Sequence, residues 1–96
     1  MTGTTRSSEG LDVRRRRLLY HCWHRGTREM DLIIGRFADA VIGSLSEDEV
    51  DAFELLAKAT DHDLYAWISG DRPVEAAYDT AMFRRLCDFV RDNPTT

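Results

Sequence analysis

Apolar residues recur at three- and four-residue steps along most of this chain and nowhere alternate with period two over a useful length, so the pattern predicts helices and no sheet. A first helix is expected from Leu11 or Asp12 to about His24, with Leu11, Leu18 and Cys22 sharing a face and Leu19 and Trp23 beside it. Gly26 interrupts the pattern. Thr27 can then cap a second helix whose stripe is Met30, Ile33, Ile34, Phe37, Ala38 and Val41. Gly43-Ser44-Leu45 ends it, and Ser46-Glu47-Asp48-Glu49 reads as a capping box. The third helix turns Val50, Phe53, Leu56, Ala57 and Thr60 inward, with Leu55 at the border. Asp61 is placed to cap a short fourth helix that buries Leu64, Trp67 and Ile68. Gly70-Asp71-Arg72-Pro73 is turn chemistry. The last helix is expected from Val74 or Glu75 to Arg91, with Tyr78, Met82, Leu86, Phe89 and Val90 on its apolar side and Asn93-Pro94 as its stop. The fold class is therefore all-α, a compact bundle of five short helices. Residues 1–10 are a polar lead-in expected to be disordered, 11–93 a single helical domain, and 94–96 a tail.

At about 100° per residue, Arg25, Glu29, Leu32 and Arg36 fall together on the side opposite the apolar stripe, if the second helix is extended back to Arg25. That face carries two guanidinium groups, a carboxylate and an exposed leucine, which suits a partner better than a reaction. Glu29 and Asp31 lie in the helix's first turn, where they complement the positive end of its dipole.

Charge narrows the partners. The formal net charge of −4 opposes binding to nucleic acid or to an anionic membrane surface. The run Arg14 to Arg17 does not reverse this, because successive side chains turn about 100° and encircle the helix without forming a basic stripe. At least one of the four must lie beside the core with its head extended to solvent. No run approaches the roughly 18 apolar residues that cross a bilayer. The N-terminus has no apolar signal core, and Glu9 and Asp12 interrupt its arginines. These features fit a reducing cytoplasm. Cys22 and Cys87 read as two core thiols, and a disulfide requires their backbones to come close.

Catalytic and cofactor signatures are sparse. His21, Cys22 and His24 are close in sequence, but on a helix the thiol points away from both imidazoles, so the three do not converge on a metal. There is no Gly-x-Ser-x-Gly elbow and no Gly-rich turn after a strand, so neither a serine nucleophile nor a dinucleotide fingerprint is present. Trp67 has core spacing, whereas Tyr65 lies off that face and can reach a partner.

Arg25-Gly26-Thr27-Arg28-Glu29 remains to be explained. On the residues alone it reads either as an i,i+4 ion pair at a helix start or as a binding surface. Gly26 asks for a sharp turn or a close backbone contact. This segment resembles the RGxxE motif of the small FAD-assembly (flavinylation) factors of succinate dehydrogenase, called SdhE in bacteria. The likeness extends through the second helix, the capped Ser46 start, the Asp63-Leu64-Tyr65-Ala66-Trp67-Ile68 run and the last helix through Leu86, over roughly residues 14 to 91. It implies an all-α, five-helix fold and a chaperone-like factor without a catalytic residue. Such a factor binds the flavoprotein subunit of succinate dehydrogenase, with fumarate reductase as a second client, and promotes covalent FAD attachment there. FAD is then the client's cofactor and is not held stably by this chain, which acts as a monomer. By the resemblance Arg25 donates to client oxygens, Gly26 allows close approach, and Glu29 orients Arg25 or accepts from the client. Arg28 lies within the motif; Leu32 and Arg36 join the surface from the wheel. Thr27 stands where the motif often has a larger apolar residue. The competing reading is a small helical adaptor or regulator that binds another protein or nucleic acid through its arginines.

Overall fold

In a computed structural model, which describes residues 10–94, the chain forms five helices and, among the described residues, no strand. We label them α1 (Val13–Cys22), α2 (28–41), α3 (Glu47–Ala57), α4 (Asp61–Ser69) and α5 (Ala81–Asp92). Residues 1–9 of the expected lead-in and the last two residues of the tail lie outside the described residues.

Side-chain oxygens start each helix. Asp12 Oδ1 accepts from the Arg15 N–H at 2.8 Å, Thr27 Oγ1 from Met30 at 3.3 Å, and Thr80 Oγ1 from Phe83 at 3.2 Å. The capping box ahead of α3 is complete: Glu49 N–H donates to Ser46 Oγ at 3.1 Å and Ser46 N–H to Glu49 Oε1 at 2.8 Å. The cap of α4 is Thr60, not Asp61, with Asp63 N–H donating to Thr60 Oγ1 at 3.1 Å. Thr60 is accordingly exposed and does not face inward with α3.

α5 begins at Ala81, later than the apolar spacing suggested. Residues 73–79 run from Pro73 into a single 3₁₀ turn, Ala76–Tyr78, and Asp79 leaves helical geometry at ψ 75°. Thr80 then supplies a stronger start signal than any residue upstream. Tyr78 still reaches the core, because its ring lies 5.2 Å from that of Trp67.

α2 is one continuous helix containing a π turn, Asp31–Gly35, between two α-helical stretches. The wider turn holds an extra residue and rotates the remainder of the helix relative to its start. Met30, Ile33, Ile34, Phe37 and Ala38 are buried as the stripe predicts. Leu32, however, packs partly against the core and is not an exposed leucine, and Asp31 is buried.

The core lies where α1 and α5 close on α2 and α3. Phe37 sits between Phe53 at 5.3 Å and Phe89 at 5.6 Å, and Val50, Leu56, Leu64 and Leu86 are fully buried around them. The arginine run helps to hold α1 on α3. Arg14 Nε and Nη2 donate to Glu54 at 2.9 and 2.7 Å, and Arg14 also bonds Asp51. Arg15 reaches Asp12, Glu47 and the Leu45 carbonyl. Arg16 and Arg17 are exposed. Cys22 is buried, Cys87 only half-buried, and both are free thiols.

Candidate functional site

The region around the RGxxE segment is set by how α1 ends. Trp23 follows α1 and is buried, its ring laid against Gly35 of α2 and its Nε1–H donating to Asp39 Oδ1 at 3.1 Å. A Cβ at position 35 would sit 2.5 Å from Trp23 Cδ2, so the residue opposite the indole must be glycine. The chain then leaves the helical path two residues before the expected end at His24. The Arg25 N–H bonds the buried Asp31 carboxylate at 2.6 Å across the turn. Asp31 therefore acts as an anchor for this turn rather than as a solvated charge at the helix dipole.

Gly26 has φ +112°, a region that disfavours side chains, and nothing lies within 4 Å of where its Cβ would be. Of the two explanations open from sequence, the sharp turn holds, and none of the described residues closes on it. Among the described residues nothing fills the space above Gly26.

Arg25 is not on the helical face with Glu29, Leu32 and Arg36, because α2 starts at Arg28 and the turn at Gly26 sends the Arg25 side chain inward. Its side chain is 10% exposed. Nε donates to Asp61 Oδ1 at 2.8 Å, Nη1 to the Ala57 carbonyl at 2.6 Å and Nη2 to the Ala59 carbonyl at 2.6 Å. These carbonyls belong to the end of α3 and the link into α4, and carbonyls at a helix end have no partner within the helix. Arg25 thus ties the end of α3 to the start of α4, its side-chain donors turned to oxygens of this chain and not outward as the helical wheel suggested. The Arg25–Glu29 pair does not form. Glu29 makes no hydrogen bond or ion pair among the described residues.

The remaining residues divide by exposure. Gly26, Arg28 and Glu29 stand exposed at the tip, while Leu32 and Arg36 are half-buried on α2. Beside the tip runs an open trough of about 650 Å³ between α2 and α4. Glu29 and Met30 line it from α2, Asp61, Tyr65 and Ala66 from α4, and Asp71 from the turn that follows α4. Tyr65 is 51% exposed, as its position off the apolar face of α4 anticipates. The trough as a whole was not apparent from sequence, because its two walls lie more than thirty residues apart and are brought together by core packing and by the Arg25 clamp.

Trp23 and Trp67 are both buried in packing, Trp67 against Tyr78 and Phe83, so neither offers an open face to a flavin ring. Among the described residues no group of three or more histidine, cysteine, aspartate or glutamate side chains converges on a metal position. His24 instead stacks on Tyr20 at 3.9 Å, with Nδ1 2.7 Å from the Tyr20 carbonyl oxygen. The Cys22 thiol is pushed up to about 12 by burial, far from the ionised form a nucleophile needs. Among the described residues no helix is long and apolar enough to cross a membrane.

Comparison with known proteins shows the family. A family model described as flavinator of succinate dehydrogenase matches residues 16–90. The FAD assembly factor SdhE of Acetobacter pasteurianus is 33% identical over 85 residues, covering 88% of this chain and 78% of that protein. Succinate dehydrogenase assembly factor 2-B, mitochondrial, of Drosophila ananassae is 33% identical over 89 residues, or 91% of this chain and 55% of its own length. The corresponding factor of Debaryomyces hansenii is 39% identical over 62 residues, 65% of this chain and 44% of its length. The chain thus spans about half the length of these mitochondrial relatives and most of the bacterial one. Matched along most of its helical region, the chain belongs to the family of flavinators of succinate dehydrogenase.

Proposed function

We propose that this protein binds the flavoprotein subunit of succinate dehydrogenase and promotes covalent attachment of FAD to it, with fumarate reductase as a second client. One observation carries the reading: the turn at Gly26 is held rigidly from beneath by Arg25 and Asp31, yet presents Gly26, Arg28 and Glu29 to open space. A surface whose own contacts are all on its inner side is prepared for a partner at little further ordering cost. Gly26 lets a partner approach the backbone, and Arg28 and Glu29 offer one charge of each sign beside it.

The chemistry belongs to the client. A factor of this size assists by holding the client histidine and the flavin at attack distance, which removes part of the entropic barrier, or by stabilising one arrangement of mobile client segments. FAD is held by the client and not by this chain, and the factor works as a cytoplasmic monomer. The adaptor reading through the arginine run loses support because Arg14 and Arg15 are spent on carboxylates of this protein.

Two variants test the proposal. Gly26→Arg is expected to abolish binding to the purified flavoprotein subunit while helicity by circular dichroism is retained; loss of the fold would make the glycine purely structural. Glu29→Ala is expected to lower the fraction of subunit carrying covalent FAD, read as flavin fluorescence in a denaturing gel. An undiminished band would remove Glu29 from the site.

A further inference from the structure

We infer that the trough between α2 and α4 receives a cationic side chain of the flavoprotein partner, seated on Tyr65 between Glu29 and Asp71. This rests on the assembly reading and names the chemistry on the partner's side. Of the three carboxylates that line the trough, Asp61 is already neutralised by Arg25 at 2.8 Å. Glu29 and Asp71 are both exposed and have no ion pair or hydrogen bond among the described residues. Neither Arg28 nor Arg72 lines the trough, and Arg72 is engaged by Asp63 at 2.5 Å. His62 is the one basic side chain among the lining residues. Buried Met30 and Ala66 give the trough apolar lining, and the half-exposed Tyr65 lines it as well.

An aromatic face beside two uncompensated carboxylates suits a guanidinium or ammonium group. The ring attracts the cation through its quadrupole, the carboxylates accept its hydrogen bonds, and the apolar lining covers the aliphatic stem. The trough is continuous with the exposed tip through Glu29. One docking event can therefore engage both, the tip fixing the backbone approach and the trough selecting for charge.

The test measures dissociation constants for the purified flavoprotein subunit of succinate dehydrogenase at low and high salt. Asp71→Lys is expected to weaken binding at least about tenfold. Asp71→Asn should weaken it less and make it less sensitive to salt. Tyr65→Ala should weaken it by roughly fivefold and Tyr65→Phe hardly at all, since the ring face is kept. Asp88→Lys, an equal charge change on α5 outside the trough, should bind like wild type. Circular dichroism and the melting temperature establish that each variant is folded, and the two trough positions vary independently of one another. If Asp71→Lys and Tyr65→Ala bind normally while Gly26→Arg still abolishes binding, the trough is not the cation site and the assembly reading stands. If wild-type protein fails to bind the subunit, both fall. Sedimentation showing that Asp71→Lys breaks up a dimer of this chain would give the trough to a second copy and overturn the assignment.

Discussion

Truncating Arg25 removes three interactions at once and leaves their partners without replacements. Asp61, whose side chain is 22% exposed, loses its counter-ion, and the Ala57 and Ala59 carbonyls lose their donors. Orphaned polar groups in a partly buried site cost more than the bonds themselves contribute. Arg25→Ala is therefore expected to lower unfolding free energy by about 2–4 kcal/mol, seen as a reduced urea midpoint with an unchanged slope. Arg25→Lys recovers only part, because an ammonium cannot reach three oxygens in the planar fork of a guanidinium. On the assembly reading, loss of flavinylation in Arg25→Ala would follow from the loosened turn, and restoring stability with an osmolyte should restore it. A residue that touched the client directly would show no such rescue. Gly26 and Glu29 were legible in the sequence as surface residues because their exposure depends on a local turn. The inward course of Arg25 was not, since its acceptors lie more than thirty positions downstream.

At the level of elements, the last residue of the π turn in α2, Gly35, and the indole of Trp23 are fitted to each other. Gly35 is the residue at which α2 has no side chain, and Trp23 fills that space while bonding Asp39 from the same helix. Gly35→Ala puts a methyl group at 2.5 Å from a ring carbon, so the ring or the helix must move. Overpacking of this kind costs about 1–3 kcal/mol, even though alanine is the better helix former. The expected outcome is a lower melting temperature with a shifted tryptophan emission, whereas a stabilised variant would mean that the helix simply absorbs the methyl group. Periodicity revealed α2 and its stripe correctly because buried Ile34, Phe37 and Ala38 dominate the pattern. It could not reveal the extra residue in the π turn, which leaves each local spacing plausible while rotating Leu32 and Asp31 toward the interior. The late start of α5 escaped for a related reason: Tyr78 has core spacing and is packed on Trp67, but from a 3₁₀ turn.

For the molecule as a whole, stability depends on pH from both sides, and the sign depends on which state binds protons more tightly. The side-chain hydrogen bonds from Arg14 hold Glu54 low, the Ser46 N–H does the same for Glu49, the Arg15 N–H for Asp12, and Arg72 for Asp63. Each folded carboxyl lies below its ordinary value of 4.5 for glutamate or 3.8 for aspartate. The unfolded chain therefore protonates first, and the stabilisation present at neutral pH is lost as pH falls through those ordinary values and on through the lower folded ones. Since these groups sit at the surface, the acid loss should be gradual and should shrink in high salt. The alkaline side has a different origin. Burial raises the Cys22 thiol from 9.0 to about 12, so the unfolded chain ionises first and stability falls as pH rises from 9.0 toward about 12. Because Cys22 is a core group, this loss should be indifferent to salt. Urea midpoints across the range, at two salt concentrations, give both limbs. Cys22→Ala is expected to flatten the alkaline limb while lowering stability at neutral pH through the cavity it leaves. The same burial predicts that a thiol reagent at neutral pH modifies the half-buried Cys87 first and reaches Cys22 only when the protein unfolds globally. Rapid labelling of Cys22 in the native protein would mean that α1 opens away from α2 without the rest of the bundle, and would free the turn at Gly26 from the support that Arg25 and Trp23 give it.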